Sequence, residues 1–187
     1  MADILGTDIL GTIGDDILNG TNGDDTITTL AGNDTVDAGA GDDIVIADEN
    51  GTGNIDGGDG FDTVQIISDN SVRSISTRTG QPSLDLFGGY SLTSVERLEL
   101  INSNGEIDSF FQLGSTGDDT IDLTTSGLTF DSNAFILLLG GDGNDTLTAI
   151  NSTSLTVLGG GNGDDTLIGG TGRTCLLYTS PSPRDRG

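Results

Sequence analysis

The apolar residues of this chain are spread thinly, and each deeply apolar position is separated from the next by a polar stretch of regular length. Leu18, Ile27, Val36 and Val45 follow one another at intervals of nine residues. Each follows an Asp and a Thr or Ile, which is the pattern of a short strand that turns one side chain inward. The equivalent position recurs later as Val64, Ile121, Leu147 and Leu167. The pattern predicts an all-β chain of short strands separated by turns.

The polar stretches between these strands repeat as well. Each complete copy has a Gly, one variable residue and then an Asp before the strand, and the first four copies are nine residues apart. A ninth copy begins at 169–172. A fixed short period indicates a solenoid, in which each repeat stacks on its neighbours. The eight complete copies begin at Gly14, Gly23, Gly32, Gly41, Gly60, Gly117, Gly143 and Gly163.

Three copies match a full nonapeptide, G-G-x-G-x-D-x-U-x, where U is a large apolar residue. They are residues 57–65 (GGDGFDTVQ), 140–148 (GGDGNDTLT) and 160–168 (GGNGDDTLI). On these residues the chain resembles the repeats-in-toxin (RTX), hemolysin-type calcium-binding family. The other copies depart mainly at the first two glycines, as at Thr29-Leu30 and Ala38-Gly39. The resemblance implies a right-handed parallel β-roll with Ca²⁺ in its turns.

The spacing itself suits a calcium site. Calcium takes six to eight oxygen ligands, and one turn cannot supply them all. A nine-residue repeat makes half a coil, so every second turn stacks at the strand spacing of about 4.8 Å, and two stacked turns can hold an ion between them. Asp16 then pairs with Asp34 on one edge, and Asp25 with Asp43 on the other, which continues to Asp62. The candidate ligands are Asp16, Asp25, Asp34, Asp43, Asp59, Asp62, Asp119, Asp142, Asp145 and Asp165, with the turn glycines Gly14, Gly23, Gly32, Gly41, Gly60, Gly117, Gly143 and Gly163.

The later copies predict a longer coil. Asp145 and Asp165 are separated by more than two nonapeptides, and residues 151–154 would form the opposite turn, so calcium would occupy one edge only. The interval from Asp119 to Asp145 is longer still, and it predicts a small extra loop over 125–134.

Charge explains why an ion would matter. The chain has 30 acidic residues, 6 basic ones and a net charge of −24, with 31 glycines and only 4% aromatic residues. Such a chain opposes compaction unless a cation binds, and it excludes nucleic acid as a partner. Composition alone would also fit disorder, but the period argues against it. We therefore expect calcium to decide whether the chain folds.

Other site types fit less well. An EF-hand loop beginning at Asp142 would have Thr153 where the bidentate Glu belongs, and no Gly-Lys-Ser/Thr follows the glycines. The chain has no His and no Lys, so we expect no enzyme activity. Neither a membrane span nor an N-terminal signal peptide is visible.

These patterns predict four segments. Residues 1–65 form a cap, with DILGT twice, and a first repeat block; 66–113 form an irregular β segment; 114–173 form a second block. The segment 174–187 is similar to a translated sequencing adapter, so we expect the natural gene to continue beyond Thr174. The segment 66–113 is either a continuation of the solenoid or a small adhesive insertion.

The resemblance also implies a setting. RTX modules stay unfolded in the cytoplasm, pass a type I exporter whose signal is C-terminal, and fold outside the cell on Ca²⁺. This chain would then be part of a secreted toxin, protease or lipase, with calcium and the secretion machinery as partners. The alternative is a structural adhesin or surface-layer repeat protein.

Overall fold

The computed structural model describes residues 6–68, 75–77, 83–86, 90–150 and 153–177. These residues are almost entirely strands, with a single 3₁₀ turn at Leu123–Thr125. They form two compact units, Met1–Gly105 and Glu106–Gly187. Within the described part of the chain, no helix has the length and apolar character that a membrane crossing demands.

The first unit is a parallel β-roll in which successive strands alternate between two sheets. The strands are β1 (Asp8–Leu10), β2 (Ile17–Thr21), β3 (Thr26–Leu30), β4 (Asn33–Gly39), β5 (Ile44–Asp48), β6 (Thr52–Asp56), β7 (Thr63–Ile67), β8 (Ile75–Thr77), β9 (Ser83–Leu86), β10 (Tyr90–Thr93) and β11 (Arg97–Ile101). One sheet has the order β1-β3-β5-β7-β11, and the other begins β2-β4-β6-β10 and ends with the antiparallel β9 and β8.

The register of this unit follows the repeat. Thr26 pairs with Ile44, two nonapeptides further along the chain, and Ile44 pairs in turn with Thr63. The inward positions are those that the pattern predicted, since Ile27, Val36, Val45 and Val64 are each no more than 2% exposed. The core of this unit is therefore a narrow aliphatic ladder.

The second unit repeats the design with a longer coil. Its sheets have the orders β12-β14-β16-β18 and β13-β15-β17. Thr146 pairs with Thr166, which confirms the longer coil that the spacing of Asp145 and Asp165 predicted. Phe110, Ile136 and Leu138 lie at the centre of its core. The strands are β12 (Ile107–Leu113), β13 (Thr120–Asp122), β14 (Phe130–Asp142), β15 (Thr146–Thr148), β16 (Leu155–Asn162), β17 (Thr166–Ile168) and β18 (Arg173–Leu177).

The non-repeating segment contains a regular rung of the roll. β11 pairs in parallel with β7 from Arg97↔Thr63 onward. The alternation of apolar and polar residues over 91–101 predicts that Val95, Leu98 and Leu100 point inward, and all three are buried. Arg73 and Arg78, which the sequence placed in this segment, lie outside the described residues.

Two local features differ from expectation. The extra loop is shorter than 125–134, because β14 begins at Phe130, whose ring packs edge-on against Phe110 at 5.5 Å between centroids. β18 extends one sheet through Leu177, beyond Thr174. This pairing uses main-chain groups that any extended segment offers at an open sheet edge, so it does not depend on the residue types of the tail. Of the opposite turn at 151–154, residues 151–152 lie outside the described part.

Candidate calcium sites

The aspartates that end the repeats form a continuous ladder along one edge of the first unit. The Asp25 N–H donates to Asp43 Oδ1 at 2.7 Å, and the Asp43 N–H donates to Asp62 Oδ1 at 2.9 Å. Each carboxylate therefore lies beside the main chain of the preceding turn. The stacking predicted for Asp25, Asp43 and Asp62 is confirmed.

The other edges have the same arrangement. The Asp16 N–H donates to Asp34 Oδ1 at 3.0 Å in the first unit. In the second unit, the Asp119 N–H donates to Asp145 Oδ1 at 2.9 Å and the Asp145 N–H to Asp165 Oδ1 at 3.0 Å. The turns 140–145 and 160–165 thus stack on one edge, as their spacing predicted.

The second oxygen of these carboxylates is where a cation would belong. The Oδ2 atoms of Asp34, Asp43, Asp62 and Asp145 are buried and have no hydrogen-bond partner among the described residues. A buried ionised carboxylate without a partner costs several kcal/mol, so such atoms mark a place for a ligand. Four equivalent orphaned atoms at repeat spacing are a property of the turn rather than an accident of one side chain.

Glycine at the first position of the turn leaves room for that oxygen. A Cβ added at Gly57 would lie 2.5 Å from Asp62 Oδ2, and a Cβ at Gly140 would overlap Asp145 Oδ2. In these two turns the first glycine therefore leaves room for the carboxylate, whereas the turns ending at Asp34 and Asp43 have Thr29 and Ala38 at this position. The close approach of Oδ2 explains the glycine at the start of each full nonapeptide.

Electrostatics follow from this geometry. Burial raises the pKa of Asp62 to about 6; the Asp43 N–H acts in the opposite direction, while repulsion from Glu96 and Asp43 adds to the rise. Burial likewise raises the pKa of Asp43 and of Asp145, with repulsion from neighbouring aspartates adding to it. In the absence of a cation, the stacked turns therefore hold negative charge at a cost.

The donor set fits calcium. Among the described residues no three acidic, His or Cys side chains converge, so the carboxylates alone cannot complete a coordination shell. Calcium is coordinated by carboxylate oxygens together with main-chain carbonyl oxygens, and each turn of the stack has main-chain carbonyls. Asp34, Asp43, Asp62 and Asp145 would each contribute a carboxylate oxygen, and the ion would neutralise the repulsion between neighbouring turns.

Not every predicted ligand lies at such an atom. Asp59 and Asp142 are exposed, and Asp142 Oδ1 accepts a hydrogen bond from Asn162 at 2.7 Å, so the structure does not bring these two side chains to the buried carboxylates. Asp165 is part-buried at the end of its edge. The carboxylates of Asp16, Asp25 and Asp119 instead accept hydrogen bonds from residues of their own turns.

Sequence reasoning missed Glu96. The Asp62 N–H donates to Glu96 Oε2 at 2.8 Å, so Glu96 continues the ladder Asp25–Asp43–Asp62 without a Gly-x-Asp motif. Ser94 adopts a left-handed φ of 50° in the same turn, a conformation that favours glycine. The apolar positions Val95 and Leu98 were the one sign of a strand in this part of the sequence. The interval between Asp62 and Glu96 is much longer than a repeat, so the spacing did not predict that Glu96 stacks on Asp62.

A second ladder was also missed. The residue before the final Asp accepts a bond from the next turn: Asp24 Oδ1 accepts from the Asp42 N–H at 2.9 Å, and Asn144 Oδ1 from the Asp164 N–H at 3.0 Å. The recurrence of Asp or Asn at this position was its signal. The two ladders run in opposite directions, so adjacent acids in one repeat bind the turns on either side.

The family comparison decides the nature of these turns. A family model for the RTX calcium-binding nonapeptide repeat matches four copies, at residues 10–45, 137–149 and 159–173. The chain carries RTX calcium-binding repeats. The family binds Ca²⁺, and it is a structural rather than a catalytic one. The matched residues include the stacked Asp16, Asp25, Asp34, Asp43, Asp145 and Asp165, whereas Asp62 and Asp119 lie outside them. The matched turns are calcium-binding RTX repeats, and the described strands of each unit form a parallel β-roll.

Other comparisons add little to the RTX assignment. No curated protein matches the chain. Among solved structures, the extracellular lipase LipA from Serratia marcescens is similar, with 18% identity and a TM-score of 0.26. The match covers 86% of this chain and 28% of the lipase chain, so the present chain corresponds to less than a third of that protein.

Proposed function

We propose that this chain is a calcium-triggered folding module of a protein that leaves the cell unfolded through a type I exporter and folds outside. The observation that carries the proposal is the set of buried, unpartnered Oδ2 atoms at Asp34, Asp43, Asp62 and Asp145. They make the folded state depend on a cation supplied from outside. The RTX repeats support the link between calcium-dependent folding and export, because modules of this family are expected to pass the exporter unfolded.

The energetics favour an unfolded chain without calcium. Neighbouring carboxylates about 5 Å apart repel by roughly 0.8 kcal/mol in water and by more where burial excludes it. The aliphatic ladder is narrow, and the net charge is −24. If calcium is present at ten times its dissociation constant, each bound ion adds about 1.4 kcal/mol to folding. A few such ions match the whole stability of an ordinary domain.

The calcium affinity would set where folding occurs. Extracellular calcium modules bind at about 10⁻⁴ to 10⁻³ M, far above cytosolic levels. A module in this range stays extended during export and folds on release. It would act as a structural part of a larger secreted protein.

A calcium titration of the 187-residue chain by far-ultraviolet circular dichroism tests the proposal. We expect a largely disordered chain without metal and a cooperative gain of β signal at about 0.1–1 mM calcium. Magnesium at the same concentrations should produce little, because it requires a tight octahedron and releases water reluctantly. A chain that is fully folded without metal, or with a midpoint below about 1 μM, would contradict the proposal.

A further inference from the structure

The repeat turns fall into two kinds that the family motif does not distinguish. In three of them the second residue carries a hydroxyl: Gly11–Asp16 (GTIGDD), Gly20–Asp25 (GTNGDD) and Gly114–Asp119 (GSTGDD). We call these the hydroxyl turns. The open turns, which end at Asp34, Asp43, Asp62, Asp145 and Asp165, have Gly or Leu there.

In a hydroxyl turn the final Asp finds its partners within the turn. Asp25 Oδ2 accepts from the Thr21 N–H at 2.6 Å and from Thr21 Oγ1 at 3.0 Å, and the Gly23 N–H donates to the same hydroxyl at 3.2 Å. The carboxylate oxygen that is orphaned in the open turns is thus bonded twice. The same three bonds recur around Thr12 and Asp16, at 2.6, 2.9 and 3.2 Å, and around Ser115 and Asp119, at 2.6, 2.9 and 3.1 Å.

The backbone of the two kinds differs as well. In the open turn at 140–145, Gly141 has φ +107° and Gly143 has φ +132°, so both are left-handed. The other open turns are alike, even where Leu30 takes the second position at φ 63°. In the hydroxyl turns neither the second nor the fourth residue has a positive φ. A hydroxyl turn is therefore a different closed conformation and not an open turn with one extra bond.

The hydroxyl turns and the open turns follow a fixed order along each edge. Each hydroxyl turn precedes the open turns of its own edge: Asp16 precedes Asp34, Asp25 precedes Asp43, and Asp119 precedes Asp145. The first turn of an edge lacks a complete turn before it that could share an ion. A carboxylate that closes its own turn can form there without calcium.

We propose that the second residue of the repeat selects the type of turn. The hydroxyl turns of Thr12, Thr21 and Ser115 close without calcium, whereas the open turns, which have no hydroxyl at this position, keep Oδ2 available and take the ion. This inference rests on the proposed calcium-dependent folding. It assigns the ions to Asp34, Asp43, Asp62, Asp145 and Asp165, and withdraws Asp16, Asp25 and Asp119 from the predicted ligands.

Calcium stoichiometry, measured by isothermal titration calorimetry on the full chain, tests the selection. Asp119→Asn, Asp145→Asn and the control Asp131→Asn each remove one charge from the second unit. At a calcium concentration that just saturates the parent chain, we expect Asp145→Asn to bind one ion fewer, because one of its ions is held more weakly, and the other two variants to bind the same number as the parent. Loss of one ion in Asp119→Asn would overturn the assignment.

Two further variants keep the test decisive if Asp119→Asn does not fold. Ser115→Ala removes only the hydroxyl, and its ion count should equal that of the parent; a lower count would overturn the proposal. Gly141→Thr gives the open turn at 140–145 the hydroxyl of a hydroxyl turn, and it should bind one ion fewer. An unchanged count in Gly141→Thr would overturn the selecting role of this position. A parent chain that binds no calcium would instead refute the proposed function.

Discussion

The substitution Asp145→Asn tests the calcium ladder at a single atom. Asp145 is 1% exposed, and its two carboxylate oxygens differ: Oδ1 accepts from the Asp119 N–H at 2.9 Å, and Oδ2 is buried with no partner among the described residues. Asn has one oxygen, so it can bond that N–H or face an ion, but it cannot do both. We therefore expect the calcium-bound fold to lose one charge-assisted contact.

Such a contact contributes about 1.5–3 kcal/mol, and we take about 2. The turns ending at Asp119, Asp145 and Asp165 leave two gaps on this edge. If each gap holds an ion, the loss is about 1 kcal/mol per ion, and the calcium midpoint of folding rises about fivefold. The effect should be confined to the second unit.

Hydrogen–deuterium exchange of peptides from β14 to β17, followed across a calcium titration, reports on this unit directly. Asp131→Asn is the matched control, because Asp131 Oδ1 accepts a local bond from the Asn133 N–H at 2.8 Å, the one hydrogen bond of this carboxylate within the described part of the chain, and Asn can preserve it. Its midpoint should stay within a factor of about 1.5 of the parent, a shift of about 0.2 kcal/mol per ion. Equal shifts in both variants would show that overall charge, and not a defined site, controls folding.

Three further predictions follow from the structure. Without calcium, the folded state of the first unit should gain stability as pH falls from about 6 to about 4, because Asp62, whose pKa is about 6, then binds a proton that the unfolded chain does not. The gain is at most about 3 kcal/mol, and Asp62→Asn should abolish most of it. A folded fraction that rises with pH over this range would contradict the prediction. Gly140→Ala should raise the calcium midpoint about tenfold, because its Cβ would overlap Asp145 Oδ2 and lie 2.5 Å from the Gly160 carbonyl oxygen. Gly117→Ala, whose Cβ meets only Ser115 Oγ at 3.7 Å, should change the midpoint little, and the reverse order would contradict the need for glycine at position 140. Ending the chain at Thr174 should leave the calcium midpoint within twofold by circular dichroism, because Leu176 and Leu177 are at least 40% exposed, and a larger loss would make the tail part of the native structure.

The sequence contained most of the fold, because the nine-residue spacing determines both the strand and its partner. Ile27 and Val45 could be placed inward, and Asp25 beside Asp43, from spacing alone. The stacking of Asp145 on Asp165 followed in the same way. In these places a local period fixes the long-range contact, so nothing beyond the sequence was needed.

Other features depend on contacts that no period reveals. Glu96 joins the ladder after a long interval without a repeat, and only the parallel register of β11 on β7 brings it there. The turns of Asp25 and Asp43 both end in Gly-Asp-Asp. Asp25 Oδ2 nevertheless accepts a hydrogen bond from the Thr21 N–H, whereas Asp43 Oδ2 has no partner among the described residues. Burial works to raise the pKa of Asp25, but hydrogen bonds from Thr7 and Thr21 outweigh it and lower the pKa, whereas that of Asp43 is raised. The final Asp alone therefore does not identify a calcium ligand.

The most direct test of calcium in the stacked turns is a crystal structure of the chain grown with calcium, with anomalous difference density to locate the ions. Peaks should lie beside Oδ2 of Asp34, Asp43, Asp62 and Asp145, the buried oxygens that have no partner among the described residues. Density confined to exposed acids such as Asp59 and Asp142, with none at the buried carboxylates, would contradict the account.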